Sequence, residues 1–60
     1  MKVYAVNSSR GDCLVRASRK EKVYSYMLRE YGRDANPVRI YDDKEIDRIK
    51  AMGAGTHEAG

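Results

Sequence analysis

The chain has no tryptophan or phenylalanine, and only one cysteine, one proline and one histidine. Each shortage closes a route. Without Trp and Phe, the large apolar anchors have to come from valine, leucine, isoleucine, methionine and the five tyrosines. A lone Cys13 excludes an internal disulfide, and Cys13 with His57 is too small a supply of soft ligands for a tetrahedral zinc site. No metal or cofactor is expected. No apolar run approaches the roughly 20 residues needed to span a bilayer, and the opening MKVYAV lacks the apolar segment of a signal peptide. The expectation is a cytoplasmic protein with no membrane partner.

Sixty residues suffice for one small domain. A chain this short buries only about 60% of the surface its unfolded form exposes, so its core is marginal. Lacking a disulfide or a metal, such a domain relies on economical packing or on association, and a homodimer or a tight partner is expected. The candidate core is Val3, Val6, Leu14, Val15, Val23, Met27, Leu28, Val38, Ile40, Ile46 and Ile49. The formal net charge of +3 favours anionic partners without approaching a histone-like excess.

Residues 2–7 read as a strand bounded by the turn-rich NSSRGD, and residues 13–17 as a second. A loop of about six residues containing Gly11 fits a hairpin, so the two strands should be antiparallel neighbours. Ser18 and Glu21 have capping-box spacing, and Gly32 supplies a left-handed residue to end the helix between them. Advancing about 100° per residue, Val23, Met27, Tyr31, Tyr24 and Leu28 fill one arc that can cover a sheet face. Asn36-Pro37 breaks the helical pattern. Residues 38–41 then alternate as a half-buried strand. Asp42, Asp43 and Glu45 place acids in the first turn of a second helix with the stripe Ile46, Ile49, Met52, stopped by Gly53. The glycine-rich residues 54–60 read as a disordered tail after a single domain over residues 1–53. The fold class is α+β in the order β-β-α-β-α: a three-stranded antiparallel sheet, spatial order 3-1-2, with the long helix on one face.

Catalysis finds little support. His57 falls in the tail, Cys13 reads as a small core side chain, and Asp42 with Asp43 is explained by helix capping. A non-enzyme is expected. Arg10-Gly11-Asp12 matches an adhesion tripeptide, and Asn7-Ser8-Ser9 a glycosylation acceptor. Both are short matches built from ordinary turn residues. Two surfaces are more informative. On the long helix Arg29, Lys22, Arg33, Tyr26 and Arg19 fall within an arc of about 80° opposite the apolar one. Four cations around one aromatic make an anion-seeking patch in which Tyr26 would be the exposed anchor. On the sheet, if Val15, Val38 and Ile40 face the helix, Arg16, Arg39 and Tyr41 face away, joined by Tyr4 if the first strand has that parity. Arginines and tyrosines on a sheet face can neutralise phosphates and stack bases, which is the alternative, nucleic-acid-binding reading.

The succession of a hairpin, the helix ASRKEKVYSYMLREYG and the strand PVRIY resembles the ββαβ layout of small phage-encoded host-takeover proteins, including inhibitors of bacterial RNA polymerase and some anti-CRISPR proteins. The resemblance spans residues 2–41 and is one of topology and size, so it transfers no functional residue. It implies a rigid domain in the host cytoplasm that occludes a surface of a larger, acidic-surfaced protein through charge and shape.

Overall fold

Two valines and a tyrosine give residues 2–7 the β-branched and aromatic composition of a strand. In a computed structural model of the chain, in which residues 1–41 and 43–59 are described, this stretch lies in the first strand of a sheet. Strand β1 (Lys2–Ser8) pairs antiparallel with β2 (Gly11–Ala17), Tyr4 opposite Val15 and Val6 opposite Cys13. The hairpin is tighter than the sequence suggests. Asn7 faces Asp12 and Ser8 faces Gly11, so only Ser9 and Arg10 are left to turn the chain. The Asn7 Nδ2 donates to Asp12 Oδ1 across the pair at 2.5 Å, and Gly11 takes φ +109°, a value that favours glycine.

Helix α1 (Lys20–Tyr31) follows, closed by a 3-10 turn (Gly32–Ala35). The expected capping box does not form. Arg19 occupies the N-cap and no side chain caps the helix, because the first helical residue is Lys20 and Ser18 falls one position too early. The C-terminal stop is as expected: Gly32 has φ +60° and its N–H donates to the Leu28 carbonyl. Strand β3 (Arg39–Tyr41) lies antiparallel to β1, with Ile40 opposite Val6. Helix α2 (Lys44–Ala51) stops ahead of Gly53 at φ +83°. Asp42 lies outside the described residues.

The sheet corrects the expected architecture. Residues 56–58, expected in a disordered tail, form strand β4 (Thr56–Glu58). This strand runs parallel to β2, with His57 opposite Val15, so the sheet is mixed, four-stranded and ordered β3-β1-β2-β4. Bonds from Leu14 N to the Gly55 carbonyl (3.3 Å) and from Ala59 N to the Arg16 carbonyl (2.8 Å) bracket the pairing. The expected 3-1-2 order of the first three strands is retained within it.

The topology follows from chain direction. β2, β3 and β4 all run antiparallel to β1 and hence parallel to one another. Parallel strands need crossovers, and the two helices supply them on opposite faces. α1 carries the chain from β2 over β1 to β3, and α2 carries it back beneath the whole sheet to β4. On the α1 face, Val6, Val15, Ala17, Val23, Tyr26, Met27 and Ala35 are buried together. On the other face Ala5, Leu14 and Ile49 are buried, flanked by Val3, Tyr41, Ile46 and Ala54. The result is a three-layer α+β domain. Each layer is thin, and Ile49 is the one fully buried side chain that α2 contributes. The third residue of the expected α2 stripe, Met52, is exposed.

Candidate functional site

The orientation of α1 decides which side chains are available for binding. Its buried residues are Val23, Tyr26 and Met27, with Tyr31 half-buried. Tyr24 and Leu28, expected in the core, are 42% and 63% exposed. The buried side is therefore turned away from the arc that apolar periodicity alone selects. The cause is β4. By extending the sheet beyond β2, it places His57 under the Tyr26 edge of the helix.

Tyr26 is 8% exposed, and its hydroxyl lies 3.1 Å from His57 Nδ1. The two rings are 6.0 Å apart between centroids and tilted by 44°. The Arg29 guanidinium sits 5.6 Å from the centre of the Tyr26 ring. Burial pushes the Tyr26 phenol above its ordinary range, Glu30, Tyr31 and Cys13 adding to the effect and Arg29 opposing it. Tyr26 is thus a seated residue whose polar tip is satisfied inside the protein. Its expected role as an exposed anchor at the centre of a partner surface is not compatible with this position. His57, expected to have no fixed partner, is the residue that holds it.

The cations of the same patch do remain outside. Arg19, Lys22, Arg29 and Arg33 are exposed. None of them has a carboxylate partner within ion-pair distance among the described residues. With Lys20, residues 18–33 hold five of the twelve cations and only two of the nine anions, Glu21 and Glu30. The net +3 of the chain therefore resides in α1 and its two ends. Of the other cations, Lys2 pairs with Asp43 at 3.9 Å, Arg16 with Glu58 at 3.6 Å, and Arg48 with Asp12 at 3.8 Å and also with Glu45.

The second expected surface is not open. Val15, Val38 and Ile40 do face α1, which turns Arg16, Arg39 and Tyr41 to the opposite face as anticipated. That face is where α2 packs, and Tyr41 is half-buried against its cluster. Arg16 is held by Glu58, leaving Arg39 as the cation of the set with no carboxylate partner among the described residues. Tyr4 sits on the α1 side instead, with Lys2 5.5 Å from its ring centre, because β1 alternates with Tyr4 and Val6 towards α1. A continuous basic and aromatic sheet face is therefore not formed.

Residues 10–12 are also bound into the fold. Arg10 lies over the Tyr31 ring at 5.4 Å, and Asp12 accepts from Asn7 and faces Arg48. Ser9 ties the hairpin tip to the 3-10 turn, its N–H donating to the Ala35 carbonyl at 3.1 Å and its hydroxyl to the Asn36 carbonyl. Cys13 is half-buried at the margin of the α1-side core. Burial, then the Asp12 charge, pushes its thiol upward, the opposite of an activated nucleophile.

A feature that sequence reasoning missed lies on the other flank of α1. Tyr24, Leu28, Gly32, Asn36 and Val38 line an open cleft of about 270 Å³ between the helix and the segment leading into β3. The signal was present in the i, i+4 spacing of Tyr24 and Leu28, and the same spacing assigned them to the core. No helix is long and apolar enough to cross a membrane among the described residues, and these contain no cluster of three metal-ligating side chains. Compared with known proteins, the chain matches no family model, no curated protein and no solved structure.

Proposed function

We propose that this protein is a small non-enzymatic binding protein that docks on the acidic surface of a larger protein and blocks it. The solvent side of α1 is the contact face, with Arg19, Lys22, Arg29 and Arg33 steering association. The observation that carries the reading is the distribution of charge: the net charge sits on residues 18–33, α1 and its two ends, whose cations have no carboxylate partner within ion-pair distance among the described residues, while the charges of the rest of the chain balance. Such a one-sided field raises encounter rates with an anionic partner and falls off with salt. The groups best suited to nucleophile or base chemistry are otherwise engaged, His57 with Tyr26 and Cys13 as a thiol held protonated, which supports binding over catalysis. The layout resemblance to phage host-takeover proteins belongs to the same reading, with β4 and α2 as additions to the ββαβ pattern.

The test is capture from a bacterial lysate by immobilised protein, at low and physiological salt, with wild type and a Lys22→Glu, Arg29→Glu double variant. A single predominant protein retained by wild type, weakened by salt and lost with the double variant, is the expected result. A partner retained equally by both proteins would remove the basic helix from the interface. Retention of nucleic acid in place of protein would transfer the surface to the alternative class.

A further inference from the structure

The cleft beside Tyr24 and Leu28 lies on the same helix as the unpaired cations, and the two features together specify more than either does alone. Leu28 is a helix residue left 63% exposed one position from the 1% exposed Met27, so its exposure is not fraying at a chain end. Tyr24 stands one turn before it, and Val38 and Asn36 form the opposite wall, with Gly32 open at the base. The space suits one aromatic or aliphatic side chain. Lys20 lies one turn before Tyr24 and Arg33 adjoins Gly32, while Arg29 leans the other way over the Tyr26 ring; Glu21 and Asp34 are the acids nearby. With five cations against two anions over residues 18–33, the helix and its two ends repel a second copy of themselves and attract an acidic chain.

We infer that the cleft seats a single large apolar side chain from an acidic segment of the partner, flanked by carboxylates that meet the cations of α1. This rests on the proposed docking of α1 against an acidic protein and adds the anchor that such docking needs. Charge alone gives a fast and weak encounter, whereas an apolar anchor in a pocket beside a cationic rim gives a residence time. Tyr24 supplies an amphipathic wall and Leu28 a floor that loses little conformational freedom, because both already sit on a rigid helix.

The experiment is selection of a displayed random peptide library against the immobilised full chain, followed by synthesis of an enriched peptide and titration by fluorescence anisotropy. Enriched peptides are expected to combine several Asp or Glu residues with one Leu, Phe, Tyr or Trp. Leu28→Ala should weaken the peptide by about tenfold, and replacing the peptide's apolar residue by Ala should cost about the same against wild type and little more against Leu28→Ala. Leu28→Asp, with circular dichroism as the folding control, should abolish enrichment. Acidic peptides without an apolar residue, or binding unaffected by Leu28→Asp, would overturn the cleft assignment and leave the basic docking face standing. Apolar peptides without acids would overturn the docking reading itself. No enrichment overturns the assignment, as does stronger retention of random-sequence DNA, or a concentration-dependent dimer that Leu28→Asp dissolves.

Discussion

The two flanks of α1 look misassigned when read from the sequence. The flank with Lys22, Tyr26 and Arg29 is polar in composition, yet Tyr26 is buried against β4 beneath the cation of Arg29. The flank with Tyr24 and Leu28 is apolar, yet it faces solvent across an open cleft. A helix is oriented by what lies under it. An arginine can lie along apolar surface with its head in water, and a tyrosine can be buried if its hydroxyl finds a partner, so both tolerate the inner edge of a helix. Leucine tolerates the outside at little cost, because exposed leucines are ordinary on protein surfaces.

Truncating neighbouring residues separates the two flanks most strongly. Met27→Ala removes a side chain that is 1% exposed in the α1-side core, and the expected loss is about 2–5 kcal/mol. For a domain this small that approaches the whole of its stability, so the urea transition should move to very low denaturant or lose cooperativity. Leu28→Ala, one residue on, should change the unfolding free energy by less than about 0.5 kcal/mol. Equal losses at the two positions would mean that the helix is rotated back towards the arc its apolar residues suggest.

A smaller effect separates the hydroxyls of Tyr26 and Tyr24. Tyr26→Phe keeps the ring and deletes the partner of His57 Nδ1, at an expected cost of about 1 kcal/mol. Tyr24→Phe removes a hydroxyl with no partner among the described residues and should be neutral. The Tyr26 hydroxyl also links stability to alkaline pH. Burial raises its ionisation above the ordinary value near 10, so the neutral form is favoured in the folded protein. That contribution is fully present below about pH 10 and is lost as pH rises through the raised value. Phenolate absorbance should show a tyrosine that titrates late, and that component should vanish in Tyr26→Phe.

Much of this fold is legible in the sequence, and the limits have physical causes. The hairpin, the long helix, its glycine stop and the antiparallel placement of β3 follow from alternation, helical period and turn chemistry, all of which act locally. β4 does not, because Thr56, His57 and Glu58 carry no apolar alternation and are ordered by backbone pairing to β2 and by one hydroxyl on a distant helix. That one omission propagates. Without β4 there is nothing beneath Tyr26, so the wheel places it outside and turns Tyr24 and Leu28 in. The sheet face of Arg16, Arg39 and Tyr41 was correctly grouped by parity, but period cannot say that α2 returns beneath it. The exposure of Arg19, Lys22, Arg29 and Arg33 is legible because charged side chains on a helix and its ends reach solvent over a wide range of rotations.

Cys13 offers the mildest perturbation and reports on the same edge of the structure. It lies on the α1 face of β2, two positions before Val15, the residue paired with His57. Alkylation requires the thiolate and access to it, and burial together with the Asp12 charge keeps the thiolate scarce. Iodoacetamide at mildly alkaline pH should therefore modify Cys13 severalfold more slowly in the folded protein than in urea, while leaving the fold unchanged before reaction. Tyr26→Ala opens space over that end of the sheet, and labelling should accelerate towards the unfolded rate. Tyr24→Ala and Leu28→Ala, on the outer flank, should leave it where it was. Acceleration by the outer pair and none by Tyr26→Ala would reverse the assignment of the two flanks without any measurement of binding.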